Sequence, residues 1–310
     1  AIRAMTESPF TGFEGKFVSV PPRNVVPKPV QKPHPPLWVA CSRRDTILLA
    51  AEKGIGALTF AFIDPEEAAQ WIDDYTRTLA EKCVPVGHAV NHNVACVTPM
   101  MCDADEDRAI AMGLEGGNFF GFSLAHYYVF GDHVPGQTNV WDEFMRRRDQ
   151  TGYSPEAAIA AEKEVLGAKA AAGDVSGLRG AVGTPDQIRE FLRRYEEAGV
   201  DQLIFVMQAG KNRHEDIMSS LELFGREVLP EFKERDEQAG RDKEARLEPI
   251  IEEVMGRRED DTPPMPEGYT MRALPKQMVE NAGFEDGRKM LEQVAEKTAA
   301  GDRQALGILG

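Results

Sequence analysis

Two short segments carry the side chains best suited to chemistry. The first is Ser42-Arg43-Arg44-Asp45-Thr46, between the end of one apolar run and the start of an amphipathic one. A helix N-terminus leaves backbone N–H groups unpaired and carries a partial positive charge, so such a turn favours an anion. Ser42 and Thr46 add hydroxyls, and the arginines add a donor fork that matches a phosphate. The plain alternative is a capped helix with solvated arginines. The second segment is Gln208-Ala209-Gly210-Lys211-Asn212-Arg213-His214, which follows the last apolar run. It is the best polar cluster in the chain, with Gln208, Gly210 and Asn212 as its candidate contacts. A solvated loop ending in a helix cap is the competing reading.

Weaker candidates surround these. Thr59 to Ala61 and Thr98-Pro99-Met100 fall near strand ends, against an ordinary core and turn role. His34 sits between prolines in KPHPPLW, which reads as structural. Asp105, Glu106 and Asp107 read as the acidic first turn of a helix rather than a metal site. His88 and His92 flank a strand start, and their spacing alone is weak evidence for a metal. The four cysteines, Cys41, Cys83, Cys96 and Cys102, include no CxxC pair, so free and mostly buried thiols are expected. The aromatics Phe119, Phe120, Phe122, Tyr127 and Tyr128 read as core or dimer surface.

The elements that must position these groups follow a rhythm of apolar strand, polar turn and amphipathic helix. Strands are expected at Leu37–Cys41, Ala57–Ile63, Val94–Met101 and Val200–Met207. The last has the continuous apolar character of a strand buried in a parallel sheet. Helices are expected from Thr46 with Asp45 as cap, from Pro65 with Asp64 as cap, and after Asp103 with Asp103 as cap. Others begin after Thr184 and at about Glu215. Residues 131–180 break the rhythm and read as a helical insertion, with a helix over Pro155–Ala172. Residues 1–36 read as a hairpin and a Pro-rich entry segment. Residues 37–232 form the α/β part, and 233–310 a charged helical extension of loose helices and linker. Strand–helix alternation predicts a parallel α/β sheet or barrel. Four visible strands do not choose between them, since a closed (β/α)8 barrel needs eight.

Composition bounds the partners. The 310 residues carry a net charge of -15, which would repel a phosphate backbone, so nucleic acid is not expected. No apolar run approaches the roughly 20 residues of a membrane span. The start, AIRAMTESPF, is neither a signal peptide nor a methionine start, so an incomplete reading frame and a cytoplasmic location are expected.

Residues 13–42, FEGKFVSVPPRNVVPKPVQKPHPPLWVACS, resemble the segment entering the fifth barrel strand of luciferase-like flavin monooxygenases. Residues 183–232, from GTPDQIREFL to SLELFGREVLPEF, resemble the last helix–strand–helix unit of that family. Strand 94–101 and helix 103–130 stand where its seventh unit should be. The resemblance covers residues 10–232 and implies a (β/α)8 TIM-barrel fold of which strands five to eight are present. The upstream half would hold a histidine-bearing motif and much of the ring pocket, so no catalytic residue is transferred. The resemblance implies a flavin phosphate near Ser42, Arg43 and Thr46. The loop after an eighth barrel strand, here Gln208, Gly210 and Asn212, commonly helps to bind phosphate. It implies a monooxygenase using reduced FMN and dioxygen on a small organic substrate, and a homodimer. A separate flavin reductase would supply the FMN, since no GxGxxG nicotinamide motif is present. An F420-dependent oxidoreductase of the same fold, or a catalytically silent half-barrel subunit, is the alternative.

Overall fold

The computed structural model describes residues 1–41, 43–60, 65–127, 131–151, 180–259 and 262–271, with scattered positions beyond 288. Contacts divide the chain into two units. The first holds residues 3–28 and 260–310, the second 29–259.

In the first unit, helix α1 (Ile2–Thr6) precedes a two-stranded antiparallel hairpin of β1 (Phe13–Glu14) and β2 (Ser19–Val20). The hairpin tip closes as Gly15 N–H donates to Val18 O at 2.9 Å. Arg3 organises the approach by donating to Gly12 O at 2.9 Å and pairing with Glu7. Phe10 and Arg23 exchange backbone hydrogen bonds at 3.0 Å.

The second unit is built on a parallel sheet with helices on one face. Strands β3 (Trp38–Ala40), β4 (Gly56–Phe60) and β5 (Val94–Cys102) pair in that order. Two more strands join β5: β6 (Ala181–Gly183) against Met100–Cys102, and β7 (Gln202–Val206) against Ala95–Pro99. Helix α2 (Arg44–Glu52) follows β3, α3 (Pro65–Lys82) follows β4, and α4 (Glu106–Ala125) follows β5. After α5 (Val140–Thr151) come α6 (Pro185–Glu197), α7 (His214–Glu227) and α8 (Leu229–Gly256). This is the strand-then-helix alternation of a TIM-barrel fold, present in part. Among the described residues the sheet stays open, with β3 paired only to β4 and β7 only to β5.

Local signals explain most helix starts. Thr184 accepts from Gln187 N–H and the Gln187 side chain accepts from Thr184 N–H, a reciprocal cap that fixes α6. Gly199, at φ +89°, ends that helix in a conformation a side chain resists. The apolar faces close two cores. Ile188, Leu192, Phe224 and Val228 pack with Met100 and Val182. Tyr75, Leu79, Ile47 and Ala57 pack with Val254 from α8. Each leucine, isoleucine, valine, methionine or phenylalanine among them stabilises by roughly 1.5–3 kcal/mol when fully buried.

Several expectations are corrected. Arg43, not Asp45, is the N-cap of α2, and Asp45 lies in its first turn. Asp105, not Asp103, caps α4, accepting from Arg108 N–H at 3.0 Å, while Asp103 accepts from Asp105 N–H. The short strand Ala181–Gly183 was unforeseen, because three residues carry no periodicity. Strand β7 is not buried on both faces. Leu203 and Phe205 meet the helices, but Gln202 and Ile204 are exposed, Ile204 at 44%. Its apolar run arises because the face away from the helices is apolar too, and β7 lies at an edge. The chain beyond Phe232 is not loose at first, since α8 runs unbroken to Gly256. The expected helix at 155–172 and the Asp64 cap lie outside the described residues.

Helix α8 lies across the N-terminal ends of the strands. Lys243 Nζ donates to His92 O at 3.2 Å and Asn93 Oδ1 at 3.3 Å, just before β5, and pairs with Asp201, just before β7. Arg257 donates to Ala80 O at 2.8 Å, placing a cation at the negative C-terminal end of α3. The opposite end of the sheet, where strands lead into helices, stays clear of α8.

Candidate functional site

At that opposite end the β3–α2 and β7–α7 connections share one rim. The strands are parallel, and three strand spacings separate β3 from β7, about 14 Å. The β4–α3 connection, residues 61–64 and so Ala61, lies outside the described residues, as does Ser42.

At the first connection, Arg43 takes an extended conformation (φ -144°, ψ 154°) and its side chain is exposed. Its carbonyl accepts from Thr46 N–H at 3.1 Å and Ile47 N–H at 3.3 Å. Among the described residues no side chain caps this helix, so the amides of Arg44 and Asp45 face outward. Thr46 is half-buried. Arg44 is committed elsewhere: its Nε donates to Asp74 Oδ2 at 2.9 Å, and Arg77 pairs with the same carboxylate. The Arg44 hydrogen bond holds the Asp74 carboxyl below its usual range. Arg43 is therefore the arginine left for a ligand, and Arg44 braces α2 against α3.

The second connection is shaped by packing. Asn212 is half-buried, and its Nδ2 donates to Met207 O at 2.8 Å, closing the loop on itself. Gly210, at φ +58°, lies so close to Trp141 that a Cβ there would come within 2.6 Å of the ring. The Lys211 ammonium sits 5.0 Å from the centre of that ring. Gly116 of α4 faces Asn212, with room for no side chain between them. Gln208 is exposed. At the start of α7 the acids Glu215 and Asp216 occupy the first turn, and Glu215 is held low by hydrogen bonding to its own backbone N–H and by Arg213. A carboxylate thus hydrogen-bonds to the backbone at this helix terminus, whereas at the α2 terminus Asp45 lies in the first turn without a cap hydrogen bond and Arg43 stands beside it.

The remaining candidates serve the framework. Thr98 and Met100 are buried at 1% exposure. Thr59 lines an apolar crevice with Ile47, Ala68 and Trp71, on the helix side of the sheet. His34 Nε2 accepts from His88 N–H at 3.0 Å and its Nδ1 lies 2.8 Å from Pro35 O, so both ring nitrogens are engaged. Phe119 stacks edge-on with Trp141 and Phe144 at 4.8 and 5.6 Å, and Phe122 joins them, while Tyr128 lies outside the described residues. All four cysteines are free and buried. Sequence reasoning passed over Trp141 and Gly116, which fix the 208–212 loop. The Glu115-Gly116-Gly117 run inside a helix was the available signal, since glycine there marks close approach.

Several solved structures are similar to part of this chain. Monooxygenase RslO1 from Streptomyces bottropensis is 18% identical, with 74% of this chain and 58% of that one covered and a TM-score of 0.44. The coenzyme F420 dependent tetrahydromethanopterin reductase from Methanopyrus kandleri is 22% identical, with 74% and 60% covered and a TM-score of 0.47. The oxygenating constituent of 3,6-diketocamphane monooxygenase from Pseudomonas putida, solved with FMN, is 17% identical, with 74% and 60% covered and a TM-score of 0.46. This chain spans 58–60% of the length of these three. A search of curated proteins finds no match. A family model described as luciferase-like monooxygenase matches residues 1–202, more than half of the sequence. By that match, the chain belongs to the luciferase-like monooxygenase family.

Proposed function

We propose that this chain is the flavin-phosphate-binding part of a monooxygenase that uses reduced FMN and dioxygen on a small organic substrate. The observation that carries the reading is the α2 terminus. Its two outward amides, exposed Arg43 and half-buried Thr46 lie at the rim where parallel α/β folds bind ligands. These donors fit a phosphate. Arg43 would fork onto its oxygens, the Arg44 and Asp45 amides would receive the remaining charge, and Ser42 and Thr46 would add hydroxyls. Gln208 and Gly210, on the same rim, would face the rest of the cofactor, with Asn212 holding their loop in shape. The bound flavin supplies the reducing power, and a separate flavin reductase would deliver it reduced. F420 carries a phosphate as well and is the second reading.

Fluorescence titration of the chain with FMN and with F420 tests this. Saturable binding is expected for FMN. Arg43→Ala should weaken it about tenfold, the effect of one charge-assisted hydrogen bond, and Gln208→Ala less. Tighter binding of F420 would transfer the reading to hydride chemistry. Absence of binding to both would sink it in favour of a silent subunit.

A further inference from the structure

Apart from the ligand rim, three ring side chains gather where α4 ends. His126 and Tyr127 continue the helix as a π-type turn, a wide turn that recurs at functional positions. Their ring centres lie 5.3 Å apart. His133 returns to both, 5.0 Å from Tyr127 and 6.1 Å from His126. The three rings form a triangle of two imidazoles and a phenol. His126 is its floor, with 3% of its surface exposed, while Tyr127 is 53% exposed and His133 stands in solvent. Gly131 holds the floor in place. Its N–H donates to His126 O at 2.8 Å, and a Cβ there would come within 2.4 Å of His126 Nδ1.

Ring spacing and charge narrow what such a triangle can hold. Two imidazoles that share a zinc, each nitrogen about 2 Å from it, keep their ring centres roughly 5–6 Å apart. The His126–His133 spacing of 6.1 Å stands at the wide end of that range, and His133, the exposed ring, has room to close it. Among the described residues no three His, Cys, Asp or Glu side chains gather for a metal, so the Tyr127 oxygen is the third donor. Exposed Asp132 precedes His133, and the chain as a whole carries -15, which favours a cation here over a carboxylate or phosphate. Imidazole nitrogen suits zinc and copper, whereas magnesium and calcium take oxygen donors.

We propose that His126, Tyr127 and His133 bind a divalent transition cation, zinc or copper, through two ring nitrogens and the phenol oxygen. The phenol releases its proton to solvent as the cation binds, and water takes the remaining position. Bound there, the cation ties the end of α4 to the segment that leads into α5, whose Trp141 supports Gly210. The site stands on these three rings alone and does not depend on the flavin reading.

Calorimetric titration of the untagged chain with zinc, copper and magnesium chlorides tests this. Zinc and copper should bind saturably, one per chain, and magnesium far more weakly. Loss of one ligand should cost at least about tenfold in zinc affinity, no less than loss of an outer hydrogen-bond partner does. His133→Ala carries that test, because an exposed ring can be removed without disturbing the fold, and His126→Gln repeats it at the buried position. Melting curves of the metal-free variants that match wild type would separate a lost ligand from a lost fold. Tyr127→Phe keeps the ring and removes the oxygen. Copper bound to wild type should show a visible phenolate-to-copper charge-transfer band that Tyr127→Phe abolishes. His214→Ala, at an exposed histidine on α7, should change nothing. Absence of saturable zinc or copper binding overturns the proposal. So does binding that survives His133→Ala, or magnesium binding as tight as zinc, either of which would place the cation on the acidic surface. Zinc and copper binding untouched by Tyr127→Phe, with no band, overturns the three-donor site.

Discussion

At the scale of single residues, one glycine and two arginines decide the shape of the candidate site. Gly116 is required because a Cβ there would come within 2.3 Å of Asn212 Oδ1 and 2.7 Å of Ala209 O. The second atom is backbone, so it cannot turn aside. Gly116→Ala should therefore push the 208–212 loop off α4. We expect a loss of roughly 1–3 kcal/mol in urea melts, and a loop newly open to proteolysis; unchanged stability would show the loop to be loosely held. Adjacent arginines divide their labour, with Arg44 bound to Asp74 and Arg43 turned outward. The sequence placed both at the turn but could not divide them, since Asp74 lies 30 residues further on. Residue type and spacing made the anion-binding character readable. Which donor stays available depends on contacts between helices, which no local pattern encodes.

Among the elements, α8 is the clearest departure from what the sequence suggests. Its apolar contacts are sparse, with Ile250 and Val254 meeting a core laid down by α2 and α3 and Leu247 buried before them. Sparse spacing along a charged helix reads as solvated chain, so its docking was hidden. Starts with strong chemistry, such as Thr184-Pro185-Asp186-Gln187, were fully legible because the capping pair is local. Docking of α8 also carries a pH dependence. His92 Nδ1 is buried and, among the described residues, has no hydrogen-bond partner, and burial followed by the nearby Lys243 charge lowers the His92 pKa. Asp201 and Glu244 face it and oppose that shift only in part. A lowered folded-state pKa means neutral His92 favours folding. That contribution is complete above the unfolded value of about 6.5 and is lost progressively as pH falls from there through the lowered folded-state value. The melting temperature should drop between pH 7.5 and 5.5, and His92→Gln should flatten that drop. An equal slope in both proteins would assign the acid sensitivity to other groups.

For the molecule as a whole, the two ends of the sheet carry different duties. One is covered by α8, with the buried Cys83 nearby. The other collects the connections that could hold a ligand. Burial pushes Cys83 and Cys102 up to about 11 and Cys96 to about 12, far from the thiolate range at neutral pH. A chromogenic disulfide reagent should therefore react with none of the four cysteines rapidly in the folded protein, and with four after denaturation. A fast-reacting thiol at pH 7 would reveal local opening of the core. The parallel α/β class and strands β3, β4, β5 and β7 were readable from the sequence. The exposed inner face of β7 was not, because an apolar run looks alike whether one or both faces are covered.

Among the described residues the outer flanks of β3 and β7 are unpaired, which sets a rule for anything that extends this sheet. All five strands run in one direction, so backbone donors and acceptors on both flanks are laid out with that polarity. A strand added in the same sense ends beside Met207 or Cys41, and the turn that leaves it opens next to Arg43 or Gln208. Extension would then bring the outgoing connection of each new strand, and its side chains, to the ligand rim.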